Sequence, residues 1–219
     1  MGLSRWIVAA ACMYGAAPLH AEELLVRVMD ARGAAVADAV VSIAAIDPAP
    51  QTPASSKPVT RAIDQKDETF IPYVEVFRPG DQVVFRNSDK TRHHVYSFSP
   101  TKSFELVLRP GESSPALTLD KAGVIAVGCN IHDHMLTYLY VTDAALAVRS
   151  GPDGVARLEN IPPGSHEVRA WHPQLRPDHD AADIVKSTLV TAGNSAGLEF
   201  SVRLLPDPRR RPDRERATY

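Results

Sequence analysis

The chain reads as an all-β protein, and three features say so. Short apolar or alternating runs recur along it, and no segment keeps a helical period over three turns. Explicit turn signals divide the runs: Arg32-Gly33, Arg78-Pro79-Gly80-Asp81, Arg109-Pro110-Gly111, Asp153-Gly154 and Pro162-Pro163-Gly164. Eighteen prolines against twelve glycines suit loops and strand edges better than helix interiors. The cadence predicts β-sandwiches rather than a parallel α/β sheet.

Taken in order, residues 1–21 read as a secretory signal. Arg5 supplies the charge, Trp6 to Ala17 is mostly apolar, and Pro18-Leu19-His20-Ala21 ends on a small residue before Glu22-Glu23. The apolar run is shorter than the roughly 20 residues a membrane helix needs, and no later stretch comes close. An exported, periplasmic protein without a membrane span is expected, cleaved near Ala21. Strands follow near Leu24–Met29 and Ala39–Ile46. Pro48 to Pro58 is a Pro/Ser/Ala-rich linker, too poor in large apolar residues to pack. Further strands are expected near Tyr73–Phe77, Gln82–Arg86, His94–Phe98, Phe104–Leu108, Leu117–Leu119, Val124–Val127 and Leu136–Val141. The last group is Val155–Leu158, His166–Trp171, Ser187–Thr191 and Leu198–Leu204. In His166–Trp171, His166, Val168 and Ala170 alternate with Glu167, Arg169 and Trp171, the pattern of a half-buried strand. After Leu204 the tail carries five arginines against three acids and reads as a solvated, disordered segment.

The 219 residues allow one large domain or two small ones. The 24 basic and 26 acidic residues nearly cancel, which argues against nucleic-acid binding through a broad basic face. Loss of the signal removes Arg5 and Cys12, takes the formal charge from −2 to −3 and leaves Cys129 as the single cysteine. An exported chain with one cysteine forms no internal disulfide, so its thiol must be buried or occupied.

Occupation is what its surroundings suggest. Gly128-Cys129-Asn130-Ile131-His132-Asp133-His134-Met135 brings thiolate, imidazole and thioether donors together between two apolar strands, GVIAV and LTYLYV. His93-His94 precedes the strand VYSF, 36 residues upstream of Cys129. Two histidines, a cysteine and a methionine are the set of a mononuclear electron-transfer copper site. Thiolate and imidazole satisfy Cu(II), and the soft sulfurs suit Cu(I), so little moves when an electron arrives. Adjacent strand residues point to opposite faces, so only one of His93 and His94 can face such an ion. Other readings of Cys129 are a small buried hydrophobe, or the nucleophile of a cysteine hydrolase with His93.

The Cys-x-x-His-x-x-Met loop resembles the ligand loop of amicyanin, a cupredoxin. The runs FIPYVEVFRPGDQVVFRNSDKTRHHVYSFSP and LDKAGVIAVGCNIHDHMLTYLYV are similar to cupredoxins of the methylamine utilization type, over about Ala62 to Asp143. The resemblance implies His93, Cys129 and His132 as equatorial copper ligands and Met135 as the axial one. It also implies that Asn87 ties the ligand loops together. The implied activity is one-electron transfer through a type 1 (blue) copper ion cycling between Cu(I) and Cu(II). No enzyme activity is implied; redox proteins would be donor and acceptor, in an amine-oxidising chain. Copper binding or delivery without redox turnover is the alternative. Small cupredoxins usually carry asparagine where His94 stands, and amicyanin-like loops carry proline and an aromatic where Asp133-His134 stands. His134 is thereby available as a pH-sensitive partner contact or as a replacement for Met135.

Leu24–Ile46 and Gly151–Pro173 resemble the two halves of a carboxypeptidase regulatory-like (transthyretin-like) β-sandwich. The expected architecture is therefore a cupredoxin Greek-key sandwich, 62–143, inserted in or flanked by that second module, 22–46 plus 144–204. Residues 47–61 form the linker and 205–219 the basic tail. His166, His172 and His179, without cysteine or carboxylates at ligand spacing, read as packing or surface histidines.

Overall fold

In the computed structural model, the described residues are 23–45, 57–176, 183–191 and 196–210. The signal segment, most of the linker, His179 and the end of the tail lie outside them. The described chain is all-β apart from one 3₁₀ turn, Pro208–Arg210. In order, the strands are β1 (Glu23–Asp30), β2 (Val40–Ala45), β3 (Thr60–Lys66), β4 (Thr69–Ile71), β5 (Val74–Phe77) and β6 (Gln82–Asn87). Next come β7 (His93–Ser99), β8 (Lys102–Leu108), β9 (Leu117–Thr118), β10 (Gly123–Cys129) and β11 (Leu136–Val141). The last are β12 (Leu146–Arg149), β13 (Val155–Glu159), β14 (Gly164–Trp171), β15 (Ile184–Val190) and β16 (Ala196–Val202).

The strands pair into four sheets, ordered β13-β1-β16, β12-β2-β14-β15, β5-β11-β10-β7-β8 and β4-β3-β6-β9. The first two use strands from both ends of the described chain; the other two use β3 to β11 alone. Three apolar layers lie between the sheets. Leu24, Val26 and Phe200 of the first sheet meet Val41, Ile43 and Val168 of the second. Val40 and Trp171 of the second sheet meet Val74, Tyr138 and Tyr140 of the third. Ile125, Val127 and Leu139 of the third meet Ile63, Val83 and Phe85 of the fourth. Strand alternation produces this stacking: along β11, Leu136, Tyr138 and Tyr140 face one layer while Leu139 and Val141 face the other. Thr137, on the latter face, donates its hydroxyl to the Pro72 and Tyr73 carbonyls at 3.0 and 3.1 Å.

Three strands were not expected from the sequence: β3, β4 and β12. In β3 (TRAIDQK) the buried positions are Ile63 and Gln65, and a core glutamine hides the alternation. Its amide instead donates to the Arg86 carbonyl at 3.1 Å. Thr60 and Arg61, read as linker, open β3 because they pair in parallel with Gln82 and Val83 of β6. The start of the tail also differs from a solvated segment. Arg209 pairs with Asp207 at 2.8 Å and lies over the Tyr73 ring, 3.4 Å from its centroid.

Candidate metal centre

Cys129 ends β10 and His93 begins β7, and these strands are antiparallel neighbours with Cys129 opposite Val95. On β10, Ile125, Val127 and Cys129 share the inward face; on β7, His93, Val95 and Ser97 do. His94 therefore points outward, where its Nε2 pairs with Glu105 at 2.6 Å. The two loops are joined by backbone, the Asn130 N–H donating to the His94 carbonyl at 2.9 Å. Two further bonds fold the cysteine loop on itself: Met135 N–H to the His132 carbonyl at 3.0 Å, and Cys129 N–H to the Met135 carbonyl at 3.3 Å.

This brings one nitrogen each of His93 and His132 and the Cys129 sulfur within 4.8 Å of one another. His93 Nδ1 lies 3.7 Å from Cys129 Sγ. His93 and Cys129 are buried and the His132 side chain is 13% exposed. Met135 is buried in the same apolar cluster as Cys129. The His134 ring lies 6.1 Å from that of His132.

The outer nitrogens settle which atoms face inward. His93 Nε2 is 2.8 Å from Asp89 Oδ2, and an ionised carboxylate only accepts, so Nε2 carries the proton there. His132 Nε2 lies 3.8 Å from Glu68 Oε1. His132 Nδ1 is buried without a hydrogen-bond partner among the described residues. A buried imidazole nitrogen without a protein partner, beside a thiol and a second imidazole, is what a metal-binding donor looks like. The set of two imidazoles and one thiolate, with Met135 buried in the same apolar cluster as the cysteine, fits a soft ion such as copper.

Electrostatics prepare the sulfur. Burial pushes the Cys129 thiol up, but the His93 imidazole and backbone N–H groups of Ile131, His94 and His132 outweigh it, bringing the thiol to about 6. Burial likewise opposes the charged form of His93, yet Cys129 and Asp89 hold its pKa above the ordinary histidine range. The thiolate, which is the form that binds metal, is thus favoured at neutral pH.

Asn87, expected to tie the ligand loops, is buried and braces only the histidine side among its described bonds. Its amide donates to the Thr91 and Leu108 carbonyls at 2.8 and 3.0 Å, and its Oδ1 accepts Asp89 N–H at 2.9 Å. Two residues near the imidazoles, Asp89 and Glu68, were missed from sequence. Asp89 sits four residues before His93 in a polar turn, a spacing that could have shown it; Glu68, on another hairpin, carries no such signal. His166 and His172 hold packing roles: His166 Nε2 donates to the Pro162 carbonyl at 2.7 Å, and His172 Nδ1 accepts Gln174 N–H at 3.1 Å.

No family model matches the chain, and no curated protein matches it. Solved structures do. A copper-containing nitrite reductase from Thermus scotoductus is 26% identical over 39% of this chain, with a TM-score of 0.35; the match spans 22% of that enzyme's chain. A purple cupredoxin from Nitrosopumilus maritimus is 18% identical over 37% of this chain and 98% of its own, TM-score 0.33. Amicyanin from Paracoccus versutus is 16% identical over 46% of this chain and 98% of its own, TM-score 0.35. The chain is an all-β protein of packed sheets with a His93–Cys129–His132 cluster, and the solved structures similar to it include cupredoxins and a copper-containing nitrite reductase.

Proposed function

We propose that this chain is an exported electron-transfer protein with one copper ion at a type 1 site. His93, Cys129 and His132 would be its equatorial ligands and Met135 its axial one. The observation that carries the reading is the convergence of His93, Cys129 and His132, two of them buried, with His132 Nδ1 a buried polar atom that has no described protein partner. Copper bound there supplies a one-electron couple between Cu(I) and Cu(II). The protein's part is to keep the donors fixed: both flanking strands are core strands, and the loop between them is closed by its own backbone bonds. His132, the least buried donor, forms the rim through which a redox partner would exchange the electron. In this reading residues 62–143 form the copper module, set within a carboxypeptidase regulatory-like sandwich of 22–46 and 144–204. An amine-oxidising chain is the context that the sequence resemblance implies.

Titration of the purified mature chain with Cu(II) tests this. An intense visible thiolate-to-copper charge-transfer band, reversible voltammetry and loss of both in Cys129→Ser support it. A colourless Cu(I) form that resists oxidation points instead to copper handling. Alkylation of Cys129 that added copper does not block points to a reactive thiol.

A further inference from the structure

Each imidazole of the cluster has a carboxylate against its outer nitrogen, and the two carboxylates meet at one hairpin turn. Asp67 and Glu68 join β3 to β4, both with left-handed backbone (φ 53° and 54°). Their N–H groups both donate to the Asp89 carboxylate, Asp67 at 2.6 Å to Oδ1 and Glu68 at 3.1 Å to Oδ2. The same Oδ2 accepts from His93 Nε2 at 2.8 Å. The turn that orients Asp89 on His93 thus also sets Glu68 Oε1 at 3.8 Å from His132 Nε2, an ion-pair distance rather than a direct hydrogen bond. Asp89 is fixed from behind by Asn87, whose Oδ1 accepts its N–H at 2.9 Å.

We propose that Asp89 and Glu68 are positioning residues that hold both imidazoles with Nδ1 toward the sulfur and bias the site toward the oxidised ion. The proposal rests on the copper reading above. Its physical content is simple. A carboxylate on the far nitrogen fixes the tautomer and raises imidazole basicity, and a more basic donor favours the more highly charged ion. Asp89 does this through a direct bond; Glu68, without a hydrogen bond to His132, acts through its charge alone, so its effect is the smaller. Neither touches the ion.

The test uses copper-loaded wild type, Asp89→Asn, Asp89→Ala and Glu68→Gln, read by protein-film voltammetry and by ¹⁵N NMR of the histidines in the Cu(I) form. Loss of a partner beyond the ligands lowers metal affinity on the order of 10- to 100-fold. If Asp89→Ala weakens Cu(II) relative to Cu(I) by about tenfold, the potential rises by about 59 mV for one electron. Asp89→Asn keeps an acceptor for Nε2–H, so His93 retains its tautomer and the rise is smaller. Glu68→Gln raises the potential least and leaves His93 unchanged. Potentials equal to wild type in folded Asp89→Asn and Glu68→Gln, with the charge-transfer band intact, overturn the proposal even if Asp89→Ala fails to fold. A wild-type chain that shows no such band removes the copper reading itself, and with it this inference.

Discussion

His172 should make folding stability depend on pH between about 4 and 6.5. It is 6% exposed, beside the junction of the second and third sheets, and its ring lies 6.5 Å from that of Tyr73. Its Nδ1 already accepts Gln174 N–H, so a proton there displaces a bond. Burial is the chief cause that lowers its pKa from 6.5 to about 4, and the nearby Arg209 charge adds to it. The folded pKa is depressed, so as pH falls the unfolded chain takes up the proton first. Stability is therefore full above the unfolded value, is lost as pH falls from 6.5 to about 4, and then levels off. Integrating between these two values gives a loss of about 2 kcal/mol by pH 5 and about 3 kcal/mol near pH 4.

Urea denaturation of wild type and His172→Gln across pH 7.5 to 4.5 isolates this contribution. Glutamine keeps an acceptor for Gln174 N–H but does not titrate, and contributions from Cys129 and His93 cancel in the difference. The wild-type midpoint is expected to fall relative to that of the variant as pH drops. A difference that stays flat from pH 7 to 4.5 refutes the reasoning.

Other perturbations have equally definite outcomes. Gly154→Ala places a Cβ 2.6 Å from the Val28 carbonyl oxygen in a residue at φ 73°, and should cost on the order of 1–3 kcal/mol, read as a lowered urea midpoint. Asn87→Ala strands the Thr91 and Leu108 carbonyls and the Asp89 N–H. It should destabilise by about 2–3 kcal/mol and weaken copper retention against a chelator, whereas retention equal to wild type would separate Asn87 from the site. Arg209→Ala removes the cation over Tyr73 and should lower stability by about 1 kcal/mol in thermal melts, with no effect on the copper spectrum.

The sheets were legible where alternation or a continuous apolar run was clean, as in LLVRVM, HVYSF and GVIAV. They were not where a polar side chain holds a core position. Gln65 is buried because its amide finds a backbone carbonyl across to β6, a bond that no local pattern announces. β12 was hidden for another reason: Leu146–Arg149 is four residues long and pairs with Val40–Ile43, about a hundred residues away. The clustering of His93, Cys129 and His132 was legible because a soft-ligand set is rare in so short a span, and period two separates His93 from His94. The carboxylates behind them were harder to see. Glu68 is close to His132 only because β3 and β4 form a hairpin beside the β6–β7 turn, a relation of tertiary structure alone.

The layering bears on how the site performs. β11, which receives the loop after Met135, is covered on both faces. Leu136, Tyr138 and Tyr140 lie toward Val40 and Trp171, and Leu139 and Val141 lie toward the inner core. Trp171 meets Tyr138 and Tyr140 with ring centroids 6.1 and 5.0 Å apart. β7 differs: His93, Val95 and Ser97 are buried inward, while Phe98 on its outer face is 76% exposed. β11, which follows Met135, thus lies between two apolar layers, while the His132 side chain of the cluster is 13% exposed. If the cluster holds copper as proposed, donors that keep their places let the ion change oxidation state with little rearrangement. The strands from the two ends of the described chain supply none of the proposed donors; by covering the outer face of β11 they back the strand that follows Met135, a restraint the copper reading would use.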